Sequence, residues 1–296
     1  MTIEGNIDLR QNNYHFKLLG FAIGGIIIGV TCFVDDVKGV PALGKLLAQI
    51  IAACVVVRFG IVIENINIPF MGKIGNDIFY KILTVGWIIG VTNAINLIDG
   101  LDGLSTGITL ISCVSLLIIF SLNGSPIMSI ILITALAGAL VGFLPFNFNP
   151  AKTFIGDTGS NFLGYCLSII SIIGIAKTYT AIVIVAPIIV LALPIFDTIF
   201  AIIRRIIQGH SLKAIVKPDA NHLHHKMLKA GFTQKQSVLI LYGITAILGI
   251  FVIIWMDSGI WKALSFAIMV VLIILAGYKE FFKQRLLDEN DEDDKS

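Results

Sequence analysis

Four groups of polar residues in this sequence have the side-chain types and spacing to handle phosphates and metals. Val34-Asp35-Asp36-Val37 closes an apolar run, and Lys45 follows nine residues after Asp36. Two adjacent carboxylates repel, so the pair is either a solvated helix end or a place for a cation or proton. The second group is Asn93-Ala-Ile-Asn96-Leu-Ile-Asp99-Gly-Leu-Asp102-Gly. Its polar residues recur at every third position, so consecutive members are neighbours on a helix, while the row drifts by about 60° per step. Two amides and two carboxylates along one edge suit a magnesium pyrophosphate group, with amides donating to phosphate oxygens and carboxylates holding metal or water. A helix C-terminus capped by polar residues is the weaker reading, since four of them fall in register.

The third group, Asn147-Phe-Asn149-Pro150-Ala-Lys152-Thr-Phe-Ile-Gly156-Asp157-Thr158-Gly159-Ser160, precedes another apolar run. Asn149 and Lys152 are candidate substrate contacts, the lysine for a phosphate. Gly156 and Gly159 permit close backbone approach where a helix start favours anions. Asp157 is either that helix's N-cap or a metal ligand. The fourth group runs from Arg204-Arg205 to Asn221-His222-Leu-His224-His225-Lys226. Imidazoles among Lys and Arg suit the anion of a sugar nucleotide. Zinc is the weaker reading, since no Cys is near and the histidines lack the usual helical pair spacing. Asp197 interrupts an apolar run and reads as structural, pairing with a nearby Arg or capping a broken helix. These groups stand out because an ionisable residue in a span costs roughly 2.5–3.5 kcal/mol to insert.

The elements that must position them are membrane spans. The 296 residues are 56% hydrophobic and only 14% charged, with a mean hydropathy of +0.92. Soluble domains are about a quarter charged, so ordinary globular and disordered classes are excluded. The net charge of +2 leaves no basic surface for nucleic acid. Runs long enough to span occur at 18–34, 42–59, 78–97, 104–122, 127–145, 160–176, 180–203, 237–256 and 261–278. The expected fold is therefore an all-α polytopic membrane protein with about nine transmembrane helices. Residues 61–77, where apolar and polar residues alternate before a Pro and Gly region, read as a short exterior β-hairpin. The organisation is an exterior N-terminal segment over 1–17, a transmembrane catalytic domain over 18–278 and an acidic cytoplasmic tail over 279–296.

An N-terminus outside places about two thirds of the 21 Lys and Arg on the cytoplasmic side, together with all four polar groups. Residues 1–17 do not read as a cleavable signal. Cys32, Cys54, Cys113 and Cys166 all fall in apolar runs and read as packing residues. No internal repeat favours an inverted-repeat transporter, and an ion-coupled transporter would need carboxylates near mid-span, where Asp197 stands alone.

Taken together, Asp35-Asp36, the Asn93 to Asp102 row, Phe148-Asn-Pro-Ala-Lys-Thr-Phe-Ile-Gly-Asp-Thr-Gly-Ser and His222-Leu-His-His resemble the polyprenyl-phosphate N-acetylhexosamine-1-phosphate transferases. This is glycosyltransferase family 4, which includes MraY, WecA and TagO, and the His-x-His-His form is similar to the WecA/TagO branch. The resemblance implies transfer of GlcNAc-1-phosphate from UDP-GlcNAc to undecaprenyl phosphate, with release of UMP, at the cytoplasmic face of a bacterial plasma membrane. It implies Asp157 as the Mg²⁺ ligand, Asp35 and Asp36 as a catalytic pair, and Asp99 and Asp102 as motif carboxylates in the same site. Lys45 matches a phosphate-contacting lysine, Asn93 and Asn96 match substrate-contacting amides, and His222, His224 and His225 match the nucleotide-sugar loop. The reaction is either direct attack by the lipid phosphate or passage through an aspartyl-phosphate. A homodimer is one option for the assembly. The family usually begins with two further spans and a Pro-x-Pro-Arg-x-Gly-Gly loop, and this sequence starts where the third family span would. The expectation is that this form inserts but has little activity alone, the alternative being a compact relative.

Overall fold

The computed structural model describes residues 14–63, 67–68, 72–73, 75–175, 181–209 and 222–273. Most of the expected N-terminal segment, much of the basic stretch before His222 and the acidic tail lie outside these residues. Helix α1 (Tyr14–Lys38) begins ahead of the expected boundary at residue 18 and carries Asp35 and Asp36 in its last turns. It is followed by α2 (Ala42–Arg58), two strands β1 (Asn67–Ile68) and β2 (Gly72–Lys73), α3 (Asp77–Ile98), α4 (Leu104–Leu122) and α5 (Ile127–Asn147). Then come α6 (Gly156–Ile175), α7 (Ala181–Val190), α8 (Ala192–Gly209), α9 (Leu223–Lys229), α10 (Gln234–Ser258) and α11 (Ile260–Ile273). The strands pair antiparallel, Asn67 with Lys73 and Ile68 with Gly72.

The described residues are all-helical apart from that pair and the connecting turns. Among the described residues six helices, α1, α3, α4, α5, α6 and α10, are long and apolar enough to cross a membrane. The other expected spans take different forms. The run at 42–59 folds as the 17-residue α2. The run at 180–203 divides at Leu191 into α7 and α8, because Pro194 has no N–H to return to the carbonyl of Val190. The described part of 261–278 lies in α11.

The described residues fall into two compact units, one up to Gly249 and one from Ile250 onward. In the first, α6 packs against α1, α3, α4, α5 and α7. Its central place follows from small residues, since helices in lipid associate by close packing rather than by apolar attraction. A methyl group at Gly164 would come within 2.7 Å of the Thr92 backbone on α3, and one at Gly174 would meet the Phe120 ring of α4 at 2.1 Å. The inner face of α4 is likewise small and polar, with Ser105, Thr106, Thr109 and Ser112 fully buried, while Ile26, Phe33, Ile131 and Val141 on other helices are exposed. Polar atoms inside and apolar ones outside is the arrangement that lipid selects.

Candidate active site

The ends of α1 and α3 and the starts of α2 and α6 converge, and they bring three of the four polar groups together. The Lys45 ammonium lies 2.7 Å from Asp35 Oδ2 and 2.7 Å from Asp157 Oδ2. The other oxygen of Asp35 accepts the Val40 N–H. Asp36 turns the opposite way. Its oxygens accept the backbone N–H groups of Asp157 and Thr158 at 3.1 Å, together with the Thr158 hydroxyl. The cap of α6 is thus supplied by α1, and the Asp157 side chain is released from that task. Gly156, in the left-handed region at φ 64°, makes the approach feasible, for a side chain there would come within 3.1 Å of the Asp36 carboxylate.

Behind this charged trio lies a ladder of amides. Asn96 donates to Ser160 Oγ at 2.9 Å and to Asp157 Oδ1 at 3.3 Å. Asn93 donates to Gln49 Oε1 at 2.7 Å, and Gln49 donates to Asn161 at 3.0 Å. Gln49 and Asn161 are not conspicuous in the sequence, where ionisable residues at the edges of apolar runs stand out, and Thr158 and Ser160 belong to the third polar group without a role of their own. The signal was a neutral amide inside the 42–59 run, and the structure buries Gln49 and Asn161 almost completely.

Asp99 and Asp102 occupy the turn between α3 and α4. Gly103, at φ 78°, starts α4 in a conformation closed to most side chains. Asp102 accepts from Asn149 Nδ2 at 2.9 Å and from the Ala151 N–H, which ties this turn to the α5–α6 loop. Asp99, Asp102, Asn147, Phe154 and Asp157 share a cavity of about 320 Å³. Burial pushes the Asp99 carboxyl from an ordinary 3.8 up to about 6, helped by the negative charge of Asp157 and opposed by the Ser105 hydroxyl, which donates to it at 2.6 Å. Lys152 faces a different space, a groove of about 580 Å³ lined by Leu144, Phe148 and Tyr242.

The histidines reach the same neighbourhood. His222 Nδ1 lies 2.8 Å from Asp197 Oδ2, and Asp197 Oδ1 accepts the Leu223 N–H at the start of α9. Asp197 therefore braces a histidine and a helix start, where the sequence pointed to an arginine or a broken helix. The ring of His224 stacks near that of His222, with centroids 5.9 Å apart, and lies 4.2 Å from that of His225. Neither nitrogen of His224 has a hydrogen-bond partner among the described residues. Burial, then the charges of its two histidine neighbours, lowers its pKa from 6.5 to about 4. The ring abuts Gly100, where a methyl group would come within 2.1 Å of Nε2. His224 is thus pressed against the turn that carries Asp99 and Asp102.

Among the described residues no three His, Cys, Asp or Glu side chains stand close enough to hold a metal by themselves. Mg²⁺ does not require that, because it takes one or two carboxylates and completes its shell with phosphate oxygens and water. Asp157, a hard oxygen donor on the cavity it shares with Asp99 and Asp102, fits such a site. Zinc, which favours several nitrogen or sulfur ligands, does not.

The profile of glycosyl transferase family 4 matches residues 18–175. A Bacillus subtilis protein named probable undecaprenyl-phosphate N-acetylglucosaminyl 1-phosphate transferase is 41% identical over 87% of this chain and 71% of its own length. The decaprenyl-phosphate N-acetylglucosaminephosphotransferase of Mycolicibacterium smegmatis is 34% identical over 85% and 68%. A phospho-N-acetylmuramoyl-pentapeptide-transferase of Staphylococcus saprophyticus is 38% identical over 58% and 57%.

Proposed function

This chain belongs to glycosyl transferase family 4, and from that premise we propose that it transfers GlcNAc-1-phosphate from UDP-GlcNAc to undecaprenyl phosphate, releasing UMP. The observation that carries the reading is the convergence of Lys45, Asp35, Asp157 and the Asp99 turn at one end of apolar helices. A lipid phosphate cannot leave the bilayer and a nucleotide sugar cannot enter it, so the two meet at such an end. On the nine-span reading of the sequence, the excess of Lys and Arg on one side puts that end on the cytoplasmic side of a bacterial plasma membrane.

The acceptor phosphate has a second pKa near 6 and is largely ionised at neutral pH. Its oxygen attacks the sugar-linked phosphorus, and the bond from that phosphorus to UMP breaks. Lys45 offsets charge on the transferring group. Asp157 is the residue that would hold Mg²⁺, which when bound neutralises the pyrophosphate and the departing UMP. Asp36 positions Asp157 by capping α6. Asp99, whose carboxyl is raised to about 6 and lies on the same cavity, is a stronger base than an ordinary carboxylate and better suited than Asp35 or Asp36 to take a residual proton from the acceptor, since those two are engaged with Lys45 and the α6 backbone. Asn93 and Asn96 orient the site, and the histidine segment, through the Gly100 turn that His224 abuts, is assigned to the soluble substrate. The test is transfer of radiolabel from UDP-GlcNAc to undecaprenyl phosphate in membranes holding this protein, with UMP measured. Equimolar UMP and lipid-linked label, lost on chelation of divalent cations, is the result this reading predicts, against the low activity expected from the sequence alone. Label transferred only from a different UDP-sugar would overturn the substrate assignment.

A further inference from the structure

At the ends of α2 and α3 far from the carboxylates, the two helices enclose a second concavity. Cys54, Val57 and Arg58 from α2, with Lys81, Ile82 and Val85 from α3, line about 700 Å³. Arg58 comes 13 residues after Lys45, about 20 Å along the helix, so the cavity opens toward the opposite leaflet. Arg58, Lys81, Cys54 and Ile82 are exposed there. Among the described residues neither cation has an ion-pair or hydrogen-bond partner, Asp77 one turn before Lys81 included.

A single snorkelling lysine or arginine is satisfied by water and headgroups. Two cations from neighbouring helices on one apolar cavity differ, because an anion between them relieves their repulsion while the walls remain hydrocarbon. The ligand that meets both demands has an anionic headgroup and an acyl chain. We propose that this cavity binds one anionic glycerophospholipid, its phosphate between Arg58 and Lys81 and its chain along Val57, Ile82 and Val85. A polyprenyl phosphate has similar chemistry, but its reacting group belongs at the Lys45 end under the function proposed above, so the site is assigned to bulk lipid.

The protein carries its own reporter. Cys54 lines the cavity and is exposed, whereas Cys32, Cys113 and Cys166 are buried. The full chain is placed in nanodiscs of phosphatidylcholine with or without phosphatidylglycerol, and alkylation of Cys54 by N-ethylmaleimide is followed by peptide mass spectrometry. Phosphatidylglycerol should slow alkylation of the wild type by about fivefold or more beyond its effect on the Arg58→Gln/Lys81→Gln double variant, given the value of each cation against anionic lipid. Comparing the two bilayers within each protein cancels the variant's effect on thiol acidity. Single substitutions should be intermediate, which keeps the test open if the double variant misfolds. Equal slowing in wild type and variant would reduce the effect to surface potential and overturn the proposal. Protection by undecaprenyl phosphate but not by phosphatidylglycerol would overturn the assignment to bulk lipid. Either outcome leaves the transferase reading untouched, because that reading is tested by UMP release.

Discussion

The carboxylate cluster and the histidine cluster adjoin at Gly100 but hold their ionisable groups in opposite ways. In the first, charges are kept and balanced. Lys45 bridges Asp35 and Asp157, while Asp36 is matched by the amides that open α6. Lys45 and Asp157 are partly open to solvent, at 27% and 39% of their side-chain area, so their pairing adds little to stability. In the second, His224 has no hydrogen-bond partner among the described residues and is held neutral by burial, and among them only His222 has a carboxylate partner. Charge that is exposed and balanced serves chemistry more than folding. Buried rings wedged against a backbone serve both, so alterations should separate the two regions.

The largest effect is expected at Asp157. Replacement by Asn retains the shape and the contact with Asn96 but loses the charge, so transfer should fall by about a thousandfold. The melting temperature should hardly move. A loss of less than tenfold in the transfer assay would remove Asp157 from the reaction.

On the histidine side, Gly100→Ala should act on both properties. The new methyl group must displace the His224 ring, and overpacking of this kind costs about 1–3 kcal/mol. KM for UDP-GlcNAc should rise about tenfold with that for undecaprenyl phosphate unchanged, accompanied by a lower melting temperature. A shift confined to the lipid substrate would place the histidines elsewhere in the reaction.

The smallest effect sharpens the comparison through pH. Asp99 titrates near 6 when folded and near 3.8 when unfolded, so its contribution to stability is present below 3.8 and is lost as pH rises through about 6. His224 has the opposite sign. Its contribution is present above 6.5 and is lost as pH falls through about 4. The two slopes oppose each other over the same window and largely cancel in the wild type. Melting curves of Asp99→Asn should show stability rising with pH between about 4 and 6.5, and those of His224→Gln should show it falling. Parallel profiles in the two variants would contradict the opposed burial of the two groups.

Much of the architecture was legible because membrane helices announce themselves locally. A long apolar run states its own length, and a carboxylate at its edge is conspicuous. Asp35, Asp99 and Asp157 could be singled out for that reason. Gln49 and Asn161 could not, since a neutral amide in an apolar run resembles any tolerated polar residue until its partner is known. The break at Leu191 was also hidden, because hydropathy is blind to the missing N–H of Pro194.

The sequence by itself determined that the chain is helical and membrane-embedded, and which side chains carry chemistry, because composition and spacing act over a few turns. Only the tertiary structure decided what each side chain does with its neighbours. Asp36 became the cap of a helix 121 positions away, which freed Asp157 to meet Lys45 across 112 positions. Asp197 found His222 rather than an arginine. Such pairings depend on which helix ends the packing of small residues brings together, and nothing in the local pattern of either partner records that outcome.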